Sequence, residues 1–178
     1  MGVVHSNHHN FRPIGATGYG ARFNFEGVIV ERGGERNYGY TQVFRNGSLE
    51  TTKANIVREH EGSTGIPGHS IEKEVFGILP LHIEGLHQIG VPTPLIIMIS
   101  LEGVGGAFYR VQPNLFHEDD LPIDRPDLFL PECILGDYGS ELDYHRAVRP
   151  AFDTLWNVVG HPHDRYFNEE GRWDGNWH

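Results

Sequence analysis

Cysteine is nearly absent from this chain: Cys133 stands alone among 178 residues. A single thiol excludes an internal disulfide framework and any multi-cysteine zinc site, and it fits a reducing compartment. Positive charge is also scarce, with 14 Lys+Arg against 24 Asp+Glu and a formal net charge of −10. So acidic a chain is poorly suited to grip nucleic acid or an anionic membrane by itself. No apolar run approaches the ~18 residues of a membrane span, and the first residues lack the basic-then-apolar order of a secretory signal. Hydrophobic residues make up only 38%, low for a globular protein yet above the level of disordered chains. The expectation is a cytoplasmic α+β domain with no membrane role.

Glycine, histidine and proline, by contrast, are plentiful at 23, 12 and 11, so turns must be many. Charge is unevenly placed. Residues 1–60 carry seven basic and five acidic side chains, whereas residues 61–178 carry seven and nineteen. A two-signed chain can dock on a second copy or another domain; the simpler account is that the acidic part keeps the chain in solution.

Residues 1–21 show no apolar periodicity and read as a flexible arm or linker. A single domain is expected over 22–160, with the ring-bearing tail 161–178 lying across its surface. Phe23, Phe25, Val28, Ile29 and Val30 suit a strand, with Gly33-Gly34 as the turn that ends it. Tyr40–Arg45 leads into Asn46-Gly47, and Leu49–Val57 leads away. Asn-Gly between strand-like runs signals a hairpin with a type I′ turn, so residues 22–57 read as a three-stranded antiparallel meander. A helix follows, capped by Ser70, with Glu72 and Glu74 in its positive first turn. Its apolar face is Ile71, Val75, Phe76, Leu79, Ile83 and Leu86; Pro80 should kink it or divide it in two, and Gly90 should close it.

Leu95–Ile99 is a continuous apolar run, the pattern of a strand covered on both faces. After Gly103, Gly105 and Gly106, residues Ala107–Val111 are expected to return as its partner. Leu128–Leu135 supplies another strand, with Pro131 marking an edge or bulge. A C-terminal helix is expected with Pro150 near its start and Phe152, Leu155, Trp156 and Val159 on its buried face. The fold class is thus α+β: meander, kinked helix, two to three further strands and a C-terminal helix, a mostly antiparallel sheet with helices on one face.

Several residue groups invite chemistry. His5, His8 and His9 could chelate a cation, as could the string His161-Pro162-His163-Asp164, but catalytic zinc needs three fixed ligands on a rigid scaffold. Glu118, Asp119, Asp120, Asp124 and Asp127 could hold a hard divalent metal; their spacing does not match a calcium loop, and a solvated acidic loop accounts for them. His163, Asp164, Asp119 and Asp120 are therefore the weak metal candidates. Gly103-Val104-Gly105-Gly106 has the composition of a phosphate loop but precedes a strand-like segment, so a bulged turn is favoured. Cys133 reads as core, and Ser100 and Ser140 lack a nucleophile-elbow context. The meander combines rings and guanidinium groups at Arg36, Tyr38 and Arg45, the preferred partner-binding position, while the rings Tyr38, Tyr40 and Phe44 are expected on the inner face of the sheet.

The string Tyr40-Thr41-Gln42-Val43-Phe44-Arg45-Asn46-Gly47 resembles the companion region of bacterial Schlafen-like, Alba-type putative DNA-binding proteins, often described as ATP-binding. Gly90-Val91-Pro92-Thr93-Pro94, Pro122-Ile123-Asp124-Arg125, Leu130-Pro131-Glu132 and Arg149–Asp153 through Leu155-Trp156-Asn157 and Gly160 are similar in the same order. The resemblance spans roughly residues 22–175. It implies an accessory domain whose nucleic-acid-binding module lies upstream or on another chain, and it brings no catalytic position. The expected function is a non-enzymatic interaction domain of a bacterial regulator or defence protein, self-associating or ligand-sensing. A sensor would use a cleft beside Gly103, Gly105 and Gly106, with a nucleotide or divalent metal as the cofactor to test. The alternative is a metal-dependent enzyme acting on nucleotides or phosphodiesters through the acidic loop and His163-Asp164.

Overall fold

The computed structural model describes residues 1–32, 38–60, 63–111 and 121–178. The fold is mixed α+β, and strand pairing is antiparallel in all but one case. The chain divides into two compact units: Met1–Asn55 with Glu74–Pro92, and Ile56–Lys73 with Thr93–His178. The single domain expected over 22–160 is thus two units, each drawing on residues outside that range.

The first unit holds a four-stranded antiparallel sheet in chain order: β1 (Gly20–Phe23), β2 (Gly27–Glu31), β3 (Tyr40–Phe44) and β4 (Leu49–Thr51). The expected first strand is broken in two because Asn24 Oδ1 accepts the Gly27 amide, a side-chain turn that reverses the chain. The β3–β4 turn sits where Asn46-Gly47 predicts it, but Val43 pairs with Leu49 and Phe44 N bonds Ser48 O, leaving three loop residues. Gly47 alone takes positive φ, 91°, while Asn46 does not; this is the three-residue hairpin with a glycine bulge, not type I′.

Val28, Val30 and Val43 form the inner face of this sheet, together with Val4 and Phe11. The meander's rings are not the inner face: Tyr40 and Phe44 are half-buried and Tyr38 is exposed. Residues 1–21 are no loose arm. α1 (Gly2–Ser6) and a 3-10 helix at His8–Phe11 place Val4 and Phe11 in the core at 0% and 1% exposure. Two apolar side chains in a polar stretch suffice for this, too few to show as periodicity.

α2 (Gly68–Gln88) starts two residues before the expected cap at Ser70 and continues as one helix through Pro80. Gly90 closes it as expected, with Gly90 N bonding His87 O and Val91 N bonding Leu86 O. Its residues up to Lys73 belong to the second unit and those from Glu74 to the first.

In the second unit, β5 (Arg58–His60) pairs with β6 (Ser63–Ile66), and β6 pairs in parallel with β9 (Phe108–Tyr109). The expected hairpin between Leu95–Ile99 and Ala107–Val111 therefore does not form. Instead β7 (Leu95–Ile97) pairs with β11 (Cys133–Leu135), and β8 (Ser100–Leu101) pairs with β10 (Leu128–Phe129). Three steps from Ile97 to Ser100 face four from Cys133 to Phe129, so the second strand carries one extra residue around Pro131-Glu132. This is the bulge that Pro131 predicts. β11 packs on α3 (Glu141–Val158).

α3 begins nine residues before Pro150, which lies inside it. Ser140 caps the helix: its hydroxyl accepts the Asp143 amide, and the Asp143 carboxylate accepts the Ser140 amide. This reciprocal pair fixes the start more strongly than proline could.

Candidate functional site

The most concentrated chemistry among the described residues is a buried carboxyl pair in the second unit. Glu72, one turn into α2, is 0% exposed. Its Oε1 accepts Tyr109 Oη at 2.8 Å and Trp156 Nε1 at 3.0 Å, and its Oε2 accepts Trp173 Nε1 at 3.0 Å. Asp164, also 0% exposed, accepts the Tyr166 amide on Oδ1, while its backbone amide donates to Asp153 Oδ1. The Asp164 and Glu72 carboxyls also hydrogen-bond to each other, and Asp164 Oδ2, which is buried, has no other partner.

Burial raises the pKa of both carboxyls, because removing a charge from water favours the neutral acid. The three donors on Glu72 pull the other way and favour its ionised form. Asp164 has one such donor and faces the Glu72 charge, so the proton resides on Asp164, whose pKa is raised to about 9. Tyr109 is pushed well above its ordinary value and Tyr166 up to about 12, by burial first and then by these carboxyls.

Aromatic rings close around the pair. Trp156 lies 5.6 Å from Tyr166 and 5.7 Å from Trp177, and Tyr166 lies 6.1 Å from Trp173. His69 sits 4.7 Å from Tyr166. The tail 161–178, expected across the surface, instead sends Asp164, Tyr166, Phe167 and Trp173 into the core. Tyr166 and Trp173 carry polar tips, which Val111 O and Glu72 Oε2 satisfy.

Among the described residues, Tyr38 and Arg45, singled out from the sequence, are not brought together. Tyr38 and Arg45 lie beyond opposite ends of β3, about 23 Å apart at the rise of an extended strand. Arg45 Nε is used in donating to Phe25 O at 3.0 Å. Arg36 lies outside the described residues, as do Gly33, Gly34, Glu118, Asp119 and Asp120. Gly103 and Gly106 take φ of 66° and 78°, as a glycine turn requires. Their amides are occupied, Gly103 N by Asp127 Oδ1 and Gly106 N by Ile123 O, and Gly105 packs against Pro126, where a Cβ would meet Pro126 Cα at 3.1 Å. Asp127 and Ile123 thus hold two of the three glycine amides of the turn.

His163 is exposed while neighbouring Asp164 is buried, so the two do not converge. His5 stacks on Phe23 at 4.9 Å, and His8 lies edge-on to Tyr19. Among the described residues no three His, Cys, Asp or Glu side chains are placed to hold one metal ion. Cys133 is core, and burial raises its thiol pKa. A shallow, open concavity of ≈ 550 Å³ runs beside β1, bounded by Gly18–Arg22 with Glu31 and Arg32.

A different feature stands out on the β7–β8/β10–β11 ribbon. Its inner side chains, Leu95, Leu101, Leu128, Leu130, Cys133 and Leu135, are all buried. Its outer side chains are equally apolar but bare: Ile96 is 61% exposed, Met98 73%, Phe129 78% and Ile134 65%. Ile96 and Ile134 sit directly opposite each other. The continuous apolar run predicted cover on both faces, and the structure covers one.

Sequence reasoning did not single out Glu72 as a site residue. The available signal was spacing: Glu72 stands four residues before Phe76, a charge on the apolar stripe of its helix, but it also suits the first turn of a helix dipole. No helix among the described residues is long and apolar enough to cross a membrane. Compared with known proteins, the chain matches no family model, no curated protein and no solved structure.

Proposed function

We propose that this chain is a non-enzymatic interaction domain, the accessory role implied by its resemblance to the companion region of Schlafen-like bacterial regulators and defence proteins, acting in the cytoplasm. One observation carries the reading: the bare apolar face of Ile96, Met98, Phe129 and Ile134. Soluble chains seldom leave so many large apolar side chains together without a partner to cover them.

The rival enzymatic reading draws support from the Glu72–Asp164 pair, since perturbed carboxyls cluster at active sites. Both are fully enclosed, however, and their hydrogen bonds tie α2 to the C-terminal segment. Buried ion and proton networks of this kind also arise from structure alone.

A thermal-shift scan with chelator, divalent metals, nucleotides and cyclic nucleotides tests the assignment. An interaction domain keeps its melting temperature across the series. Stabilisation by several degrees with a metal or nucleotide would replace this reading with the enzyme or sensor.

A further inference from the structure

The outer ribbon face specifies more than the presence of a partner. Residues 93–109 and 126–140, which build the ribbon and its flanks, contain four charged side chains: Glu102, Asp127, Glu132 and Asp137. All four are acidic. Glu102, Glu132 and Asp137 are exposed, while Asp127 is partly buried and holds the Gly103 amide. Along the first strand, Glu102 continues the outward alternation of Ile96, Met98 and Ser100, and Glu132 lies in the bulge across from Met98.

We propose that this face docks a polypeptide presenting apolar side chains flanked by lysine or arginine. The proposal rests on the interaction-domain reading and adds its partner's chemistry. Four side chains bared to this degree make a patch on the order of 500 Å², at the upper end of what a monomer leaves uncovered. Matching that face on a second copy would set acidic rim against acidic rim, with like charges across the join. An anionic membrane meets the same repulsion. A basic rim satisfies the acidic residues, and an apolar centre covers the isoleucines. Strand alternation suits such a partner, since every second side chain of an extended segment points the same way.

The probe is a short, end-blocked, fluorescently labelled peptide alternating valine and lysine, titrated into the full chain by anisotropy. Serine–lysine and valine–glutamate peptides isolate charge and apolarity. The expected result is binding of the valine–lysine peptide about tenfold tighter than either control. Ile96→Thr with Ile134→Thr, which keeps β-branching on the strands, should weaken it about tenfold. Glu102→Gln with Glu132→Gln should weaken it several-fold and flatten its salt dependence. Phe129→Ser provides a second apolar variant should the threonine pair fail to fold.

The proposal is overturned if the valine–lysine peptide binds no better than the serine–lysine peptide, or binds the threonine variant equally. It is also overturned if the unmodified chain sediments as a dimer that Phe129→Ser disperses, which gives the face to a second copy. Either result leaves the interaction-domain reading standing. That reading fails separately, on a metal- or nucleotide-dependent thermal shift.

Discussion

In the unit built on the β1–β4 sheet, the buried polar groups are neutral side chains that pair with backbone carbonyls and with other neutral side chains. Gln42 Nε2 donates to Val28 O and Val43 O, Thr41 bonds Thr51, and His82 Nε2 pairs with Arg12 O at 3.0 Å. Its apolar core includes Val28, Val30 and Val43 with Val4 and Phe11, and Phe76, Ile78 and Ile83 of α2 are buried too. In the other unit, the centre is a carboxyl, Glu72, that accepts from two indoles and a phenol, next to a second carboxyl, Asp164, whose pKa is raised to about 9. The first core is held by shape and can be trimmed side chain by side chain. The second depends on one acceptor that serves three buried donors, so its tolerance is concentrated at a single residue.

The sharpest way to break that contrast is Glu72→Ala. Removing the acceptor orphans three buried donors and opens a cavity, a cost on the order of 5 kcal/mol. Denaturant unfolding with hydrogen exchange should show the loss in amides of residues 93–178 first. Phe11→Ala is the counterpart in the valine unit and should cost about 4 kcal/mol. A negligible loss there would restore the picture of residues 1–21 as a loose arm.

The two units should also answer pH with opposite sign. Asp164 binds its proton more tightly folded than unfolded, so the stability it contributes is complete below its ordinary value of 3.8 and is lost as pH rises towards about 9. Between pH 7 and 9 the second unit should lose up to about 1.4 kcal/mol per pH unit. Asp164→Asn, neutral at every pH, should reduce this slope to the part contributed by Glu72, whose pKa burial also raises, as thermal melts across the range would show. Burial lowers His82 to about 4, and its contribution is lost in the other direction, as pH falls from 6.5. The valine unit should therefore weaken between pH 6.5 and 4, and His82→Gln should be flat there. His145, also lowered by burial, adds a smaller acid sensitivity to the second unit. The smallest effect is Ser140→Ala, about 1 kcal/mol from the lost cap of α3, read as a shift in denaturant midpoint.

Elements specified by local chemistry were legible in the sequence. β2, β3 and the Asn46-Gly47 reversal follow from alternation and turn residues, Gly90 ends α2, and Pro131 marks a bulge. What escaped is non-local. Nothing in Leu95–Ile99 states that its partner is Cys133–Leu135 and not the nearer Ala107–Val111, because both candidates are short and apolar. The buried carboxyl pair joins residues 92 positions apart, and each member alone suits an exposed helix start or a polar tail. Tyr38 and Arg45 look like neighbours in the sequence because proximity along the chain stands in for distance, whereas an extended strand separates its two ends.

All three tryptophans, Trp156, Trp173 and Trp177, lie in one unit and near one phenol, Tyr166. Light absorbed at the red edge is therefore emitted from that unit alone, and the valine unit is dark. Two of the indole N–H groups point at the Glu72 charge, which couples their emission wavelength to whether that carboxylate stays in place. The protein carries its own optical gauge of which half has come apart.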